Sequence, residues 1–102
     1  MIGGDNYTNG NVFVGNADGF FGPVCDDHWT EVEAGVVCAQ LGFSRDTAVR
    51  YMNSHFGSVP FQFAMDEVNC EGDEATIQEC TYLSNDDCNG GEGAGVQCYE
   101  LE

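Results

Sequence analysis

Short runs of alternating apolar positions dominate this chain, and one longer stretch breaks that rhythm. Val12-Phe13-Val14 is a brief β run. Asn16 to Gly19 reads as a turn, and Phe20 to Cys25 as a second strand, so the pair predicts a hairpin. Thr30 to Leu41 has helical spacing instead. Thr30 and Glu33 form a capping-box pattern. Val32, Val36, Val37 and Leu41 fall on one face, and Gly42 can end the helix. Cys38 lies close to that face, with its sulfur expected in the core. Ala48 to Met52 and Phe61 to Val68 read as strands, Asp73 as the cap of a short helix through Ile77 to Cys80, and Ala94 to Cys98 as a last strand. The sum is an α+β domain: a curved, short-stranded antiparallel sheet cradling one main helix, with a short second helix.

The length of 102 residues allows one domain. Residues 1–10 read as a flexible lead-in, 11–99 as the domain and 100–102 as a tail. Met1 reads as an appended start and Leu101-Glu102 as a cloning scar. No stretch approaches the roughly 20 apolar residues of a membrane helix. Asn6-Tyr7-Thr8 is a glycosylation sequon. Trp29, Phe20-Phe21 and Phe61-x-Phe63 read as core. Tyr51, Phe56 and Tyr82 fall near loops, where contact residues concentrate.

Charge changes this picture. Eighteen acidic residues face two basic ones, Arg45 and Arg50, for a net charge of -16. Such a surplus repels itself unless staples or bound cations offset it. Two arginines cannot form a basic patch, which excludes nucleic acid and other bare polyanions as direct partners.

Six cysteines in so short a chain point to disulfides and an oxidising compartment. Zinc is the rival use. Cys25-x-x-His28 has ligand spacing, but no Cys-x-x-Cys partners it. His28 therefore reads as a surface or packing residue. No nucleophile elbow, zinc-protease motif or phosphate loop is present, so the chain reads as a non-enzyme, with a small hydrolase as the weakest alternative. Asn85, Asp87 and Asn89 alternate before Gly90 as in an EF-hand loop, yet Val96 would stand where a bidentate glutamate is needed.

The cysteine surroundings carry a resemblance. Val-Cys-Asp-Asp-x-Trp (24–29), Val-Val-Cys-x-Gln-Leu-Gly (36–42), Asp-Glu-Val-x-Cys (66–70) and Ala-Gly-Val-x-Cys (94–98) occur in the order and spacing of a scavenger receptor cysteine-rich domain. The chain resembles the six-cysteine, group A type: the eight-cysteine type has a cysteine where this chain has Phe43. The resemblance implies the pairs Cys25-Cys88, Cys38-Cys98 and Cys70-Cys80. It also implies a Ca²⁺ site at Asp26, Asp27 and Glu92, whose hard oxygens suit that ion. The family commonly has an aspartate after the glutamate, where this chain has Gly93. Members of the family can carry a second cation site here, at Asp66 and Glu67, where Glu67 replaces the usual aspartate; adjacent strand residues point to opposite faces, and a solvated acidic surface is the rival reading. By resemblance the module is extracellular, secreted or on the outer face of a membrane protein. It would recognise protein or glycan ligands, cationic or bridged by Ca²⁺, in innate recognition, adhesion or scavenging. The alternative is an accessory domain of a mosaic extracellular oxidase or protease.

Overall fold

The computed structural model describes residues 2–3, 9–17, 19–59, 63–83, 88 and 91–100. Asn6 of the sequon and Asn85, Asp87 and Asn89 of the EF-hand-like run lie outside them. A four-stranded antiparallel sheet takes the order β1 (Ile2–Gly3), β2 (Asn9–Asn11), β8 (Gly95–Gln97), β5 (Val49–Tyr51). Two antiparallel ribbons accompany it: β3 (Phe13–Gly15) with β4 (Phe21–Pro23), and β6 (Asp66–Asn69) with β7 (Thr81–Leu83). Helix α1 (Glu31–Gln40) packs against β5 and β8, and a 3₁₀ turn covers Ile77–Glu79. Between these layers Val24, Trp29, Val36, Met65, Val68, Ile77 and Val96 form the buried core. The Trp29 indole Nε1 donates to Gly95 O at 3.0 Å, so the largest core side chain leaves no buried donor unpaired.

The hairpin and α1 stand where the sequence puts them. Thr30 Oγ1 accepts from Val32 N at 3.2 Å, while Thr30 N donates to Glu33 Oε1 at 2.9 Å. The expected inward face differs. Val32 is 43% exposed and Leu41 48%, whereas Glu33 to Cys38 form one continuous buried run. The helix is enclosed on several sides rather than laid on one. Glu33 Oε2 accepts from Cys70 N at 2.9 Å, Gly35 lies under the Arg45 carbonyl, and Cys38 is bonded to Cys98. A Cβ at Gly35 would come 2.8 Å from that carbonyl, so only glycine fits there.

Other expectations need correction. The stretch read as lead-in supplies β1 and part of β2. Asn9-Gly10-Asn11 has low β propensity, but its amides bond across: Asn9 Nδ2 donates to Gln97 Oε1 at 2.8 Å and Asn11 Nδ2 to Gly57 O at 2.9 Å. The short helix is capped by Thr76, not Asp73, with Thr76 N donating to Glu79 Oε2 at 3.1 Å. Upstream, Glu74 closes its own turn by accepting from Glu71 N and Gly72 N. Phe63 is core, but Phe20 is exposed and Phe21 is 66% exposed, its ring stacked on Phe13 outside the core.

The bridges are Cys25-Cys88, Cys38-Cys98 and Cys70-Cys80, with no free cysteine. The first two close loops of 63 and 60 residues, the third one of 10. By loop length the long pair constrain the unfolded chain by about 4 kcal/mol each and the short one by about 2.5–3 kcal/mol.

Glu33 joins the helix cap to the Cys70 segment through buried donors. Glu33→Ala is expected to cost about 3 kcal/mol and Glu33→Gln about 1 kcal/mol, because the amide keeps one acceptor. Denaturant midpoints of the two variants measure this; equal losses would show that the carboxylate oxygens are not what joins these segments.

Candidate functional site

After β4 the chain continues as Val24-Cys25-Asp26, and this stretch is bonded on both sides. Cys25 N donates to Met65 O at 2.9 Å. On the other side Ala94 N donates to Val24 O at 2.8 Å and Asp26 N to Glu92 O at 2.9 Å. The Cys25-Cys88 bridge adds a covalent tie. Asp26, Asp27 and Glu92 are thereby drawn to one end of the domain.

The three carboxylates are not equivalent. An Asp27 oxygen and a Glu92 oxygen lie within 4.8 Å of each other, beside the sulfurs of Cys25 and Cys88. Those sulfurs are oxidised and are not thiolate ligands. Asp26 is 5% exposed, and its Oδ2 accepts from Asn53 N at 2.7 Å. Burial pushes the Asp26 carboxyl above its ordinary value of 3.8; the Asn53 N–H opposes this, and the charges of Asp27 and Glu92 add to it. The cluster is therefore two facing carboxylates backed by a third whose charge is disfavoured.

A turn after β5 locks this arrangement. Asn53 and Ser54 both have left-handed backbones, with φ of 58° and 50°. Ser54 N donates to Gly93 O at 3.0 Å, and Gly93 N donates to Ser54 Oγ at 2.8 Å. A Cβ at Gly93 would come 3.0 Å from Ser54 Oγ and 3.1 Å from Val59, so a side chain there would press both aside by a few tenths of an ångström. The sequence reading missed Asn53 and Ser54. Their signal is a polar pair after a strand, the usual composition of a tight turn, and nothing in it names a partner. The end of β5 and this turn carry Tyr51, His55 and Phe56, whose rings pack together with Tyr51 and His55 4.4 Å apart.

Asp66 and Glu67 are not brought together as a pair. Asp66 is buried, with Cys88 Sγ 3.8 Å from its Oδ1. Glu67 sits at an irregularity of β6 with φ of 50° and lies 3.3 Å from His28 Nε2. A further acidic group, Glu71, Asp73 and Glu74, serves the chain locally. Its Glu74 carboxyl is held below the ordinary value by the N–H groups of Glu71 and Gly72.

Both arginines are engaged within the fold. Arg45 donates to Gly72 O at 2.7 Å and Glu74 O at 2.8 Å, and Arg50 lies 3.3 Å from the Glu31 carboxylate. Among the described residues no helix is long and apolar enough to cross a membrane.

The family model for the scavenger receptor cysteine-rich domain matches residues 2–99. The chain belongs to the scavenger receptor cysteine-rich family. This SRCR domain is 36% identical over 99% of its length to a scavenger receptor cysteine-rich domain superfamily protein of Patiria pectinifera, of which it spans 9%. It is 35% identical over 96% of its length to the macrophage receptor MARCO of Mus musculus, of which it spans 18%. Among solved structures, the third SRCR domain of murine neurotrypsin superposes with a TM-score of 0.87 at 35% identity, covering 100% of this chain and 95% of that one. The dimeric form of the SRCR domain of mouse MARCO gives 0.77 at 32% identity, covering 96% and 91%.

The raised Asp26 value sets a sign for pH dependence. A carboxyl whose folded value lies above its unfolded one stabilises the fold below the unfolded value, and that contribution is lost as pH rises through the folded value. In chelator at neutral pH, Asp26→Asn is therefore expected to melt above the wild type. The asparagine Oδ1 still accepts from Asn53 N. The advantage should vanish below the carboxylate range. Melting curves across pH measure it; a wild type that melts higher at neutral pH in chelator would contradict it.

Proposed function

We propose that this SRCR domain is a non-catalytic extracellular recognition module whose cluster at Asp26, Asp27 and Glu92 takes Ca²⁺. The observation that carries this reading is the close approach of the Asp27 and Glu92 carboxylates beside a third whose charge is disfavoured. Hard oxygen donors from two segments fit Ca²⁺, and a cation would lower the mutual repulsion of the gathered carboxylates. Asp27 and Glu92 would hold the ion. Asp26 sets the negative field and ties the cluster to the Asn53-Ser54 turn. When bound, Ca²⁺ supplies a positive centre that an anionic ligand group can join.

The partners this favours are protein or glycan ligands that are cationic or that reach the surface through the ion. The internal use of both arginines supports that choice, since neither is left as part of a polyanion site. The glycosylation sequon at Asn6 and a role in innate recognition, adhesion or scavenging belong to the same reading. A second reading is an accessory domain in a longer extracellular enzyme. The small fraction of its curated relatives that the chain spans, 9% and 18%, favours a module that works inside a larger protein. Placement outside the cell, secreted or on a membrane protein, rests on the three disulfides and the likeness to a macrophage receptor.

Millimolar Ca²⁺ should raise the melting temperature of the wild type by mass action, and Asp27→Ala should remove most of that rise. The shift should shrink as pH falls toward carboxylate values, because protonated carboxylates are poor ligands. Identical responses from the two proteins would place the ion elsewhere.

Heparin should not bind in chelator at physiological salt, whereas a basic protein should. Titrations of both, with Ca²⁺ and with chelator, separate these outcomes. Tight heparin binding in chelator would overturn the partner assignment, since charge repels it.

A further inference from the structure

On the face of the β6–β7 ribbon lies an open groove of about 400 Å³, lined by His28, Glu67, Asn69, Thr81, Tyr82 and Leu83. Two of these residues have unusual backbones. His28 has φ of 63° and Glu67 has φ of 50°, in the left-handed region that side chains other than glycine seldom enter. With these backbones His28 Nε2 lies 3.3 Å from the Glu67 carboxylate. Glu67 lies at the irregularity of β6 between buried Asp66 and Val68, and His28 precedes buried Trp29, so the fold itself fixes both positions at the cleft. Both side chains remain largely open to solvent.

We propose that this groove is a docking site for an arginine side chain of a partner protein, with Glu67 as its anchor. The pairing that Glu67 has within the chain is a conditional one, because imidazole is a cation only when protonated. A guanidinium is charged at every physiological pH and meets a carboxylate through two parallel hydrogen bonds. The walls suit the rest of that side chain. Leu83 is an exposed apolar surface for the methylene stem. Tyr82 offers an aromatic ring whose position is fixed, since its hydroxyl accepts from Ala17 N at 2.9 Å. Asn69 and Thr81, register partners across the ribbon, supply one exposed polar rim. Charge selects the occupant: a chain at -16 attracts a basic partner and repels a second copy of itself, nucleic acid and anionic lipid. The groove shares no lining residue with the Asp27-Glu92 cluster, and the contact with Glu67 needs no cation there.

The test is titration of the ¹⁵N-labelled domain with acetyl-Gly-Arg-Gly-amide and with its citrulline counterpart, which has nearly the same shape without the charge. Millimolar CaCl₂ is kept in the buffer, so that the Asp27-Glu92 cluster is offered its own cation. Saturable shifts are expected at the amides of His28, Glu67, Asn69 and Thr81, with the citrulline peptide weaker by about tenfold. Glu67→Gln should weaken the arginine peptide by a similar factor while the spectrum stays that of a folded domain. His28→Gly removes the internal competitor and suits the left-handed backbone, so binding should be retained or tightened. Shifts centred on Asp27 and Glu92, equal binding of the two peptides, an unchanged affinity in Glu67→Gln, or loss of binding in His28→Gly would each overturn the proposal.

Discussion

The acidic end of this domain depends on one short stretch, Val24 to Asp26, being held from both sides at once. Met65 binds it on one flank, and Glu92 and Ala94 bind it on the other. Backbone bonds of this kind are indifferent to side-chain charge. They can therefore press Asp26, Asp27 and Glu92 together although the three repel one another. The Cys25-Cys88 bridge makes the arrangement harder to relieve, because separating the two segments would require breaking a covalent link as well as the ladder. The fold thus holds like charges close where an open chain would let them part.

The same economy governs the basic residues. Arg45 reaches backbone carbonyls of the 72–74 turn, and Arg50 meets Glu31 at the start of the helix. Each one joins segments far apart in sequence, so their charges serve cohesion before they serve recognition. The helix has a parallel case in Glu33, a carboxylate spent on the amide of Cys70 and on its own cap. A strongly acidic protein has few ways to bind its own loops, and it uses backbone donors and acceptors for much of that work.

Local signals in the sequence were legible, and long-range ones were not. The Thr30–Glu33 cap is decided within four residues, and it stands as read. The first hairpin likewise needs only a turn and two flanking runs. Val32 and Leu41 were misread because apolar periodicity assumes that a helix buries one face, whereas α1 is enclosed by the sheet, the Arg45 carbonyl and the Cys70 segment. The strand at Asn9–Asn11 was illegible because its stability comes from amides that meet Gln97 and Gly57, many residues away. At the site, the motif resemblance named Asp26, Asp27 and Glu92, and the fold gathers them. It paired Asp66 with Glu67, which the irregular β6 separates: one is buried and the other turns to His28. Asn53 contributes a main-chain N–H, which no residue type can advertise.

Gly93 has a consequence for how such a surface can change over generations. A larger residue there meets Ser54 and Val59, and Ser54 belongs to the turn whose neighbouring amide caps Asp26. Restoring a fourth acidic group is therefore no single step: the first substitution would disturb the turn before any benefit to the cluster appeared. Selection acting one change at a time meets a valley at that position. The charge of this end of the domain is thus coupled to the shape of the turn behind it, and the one tends to change only together with the other.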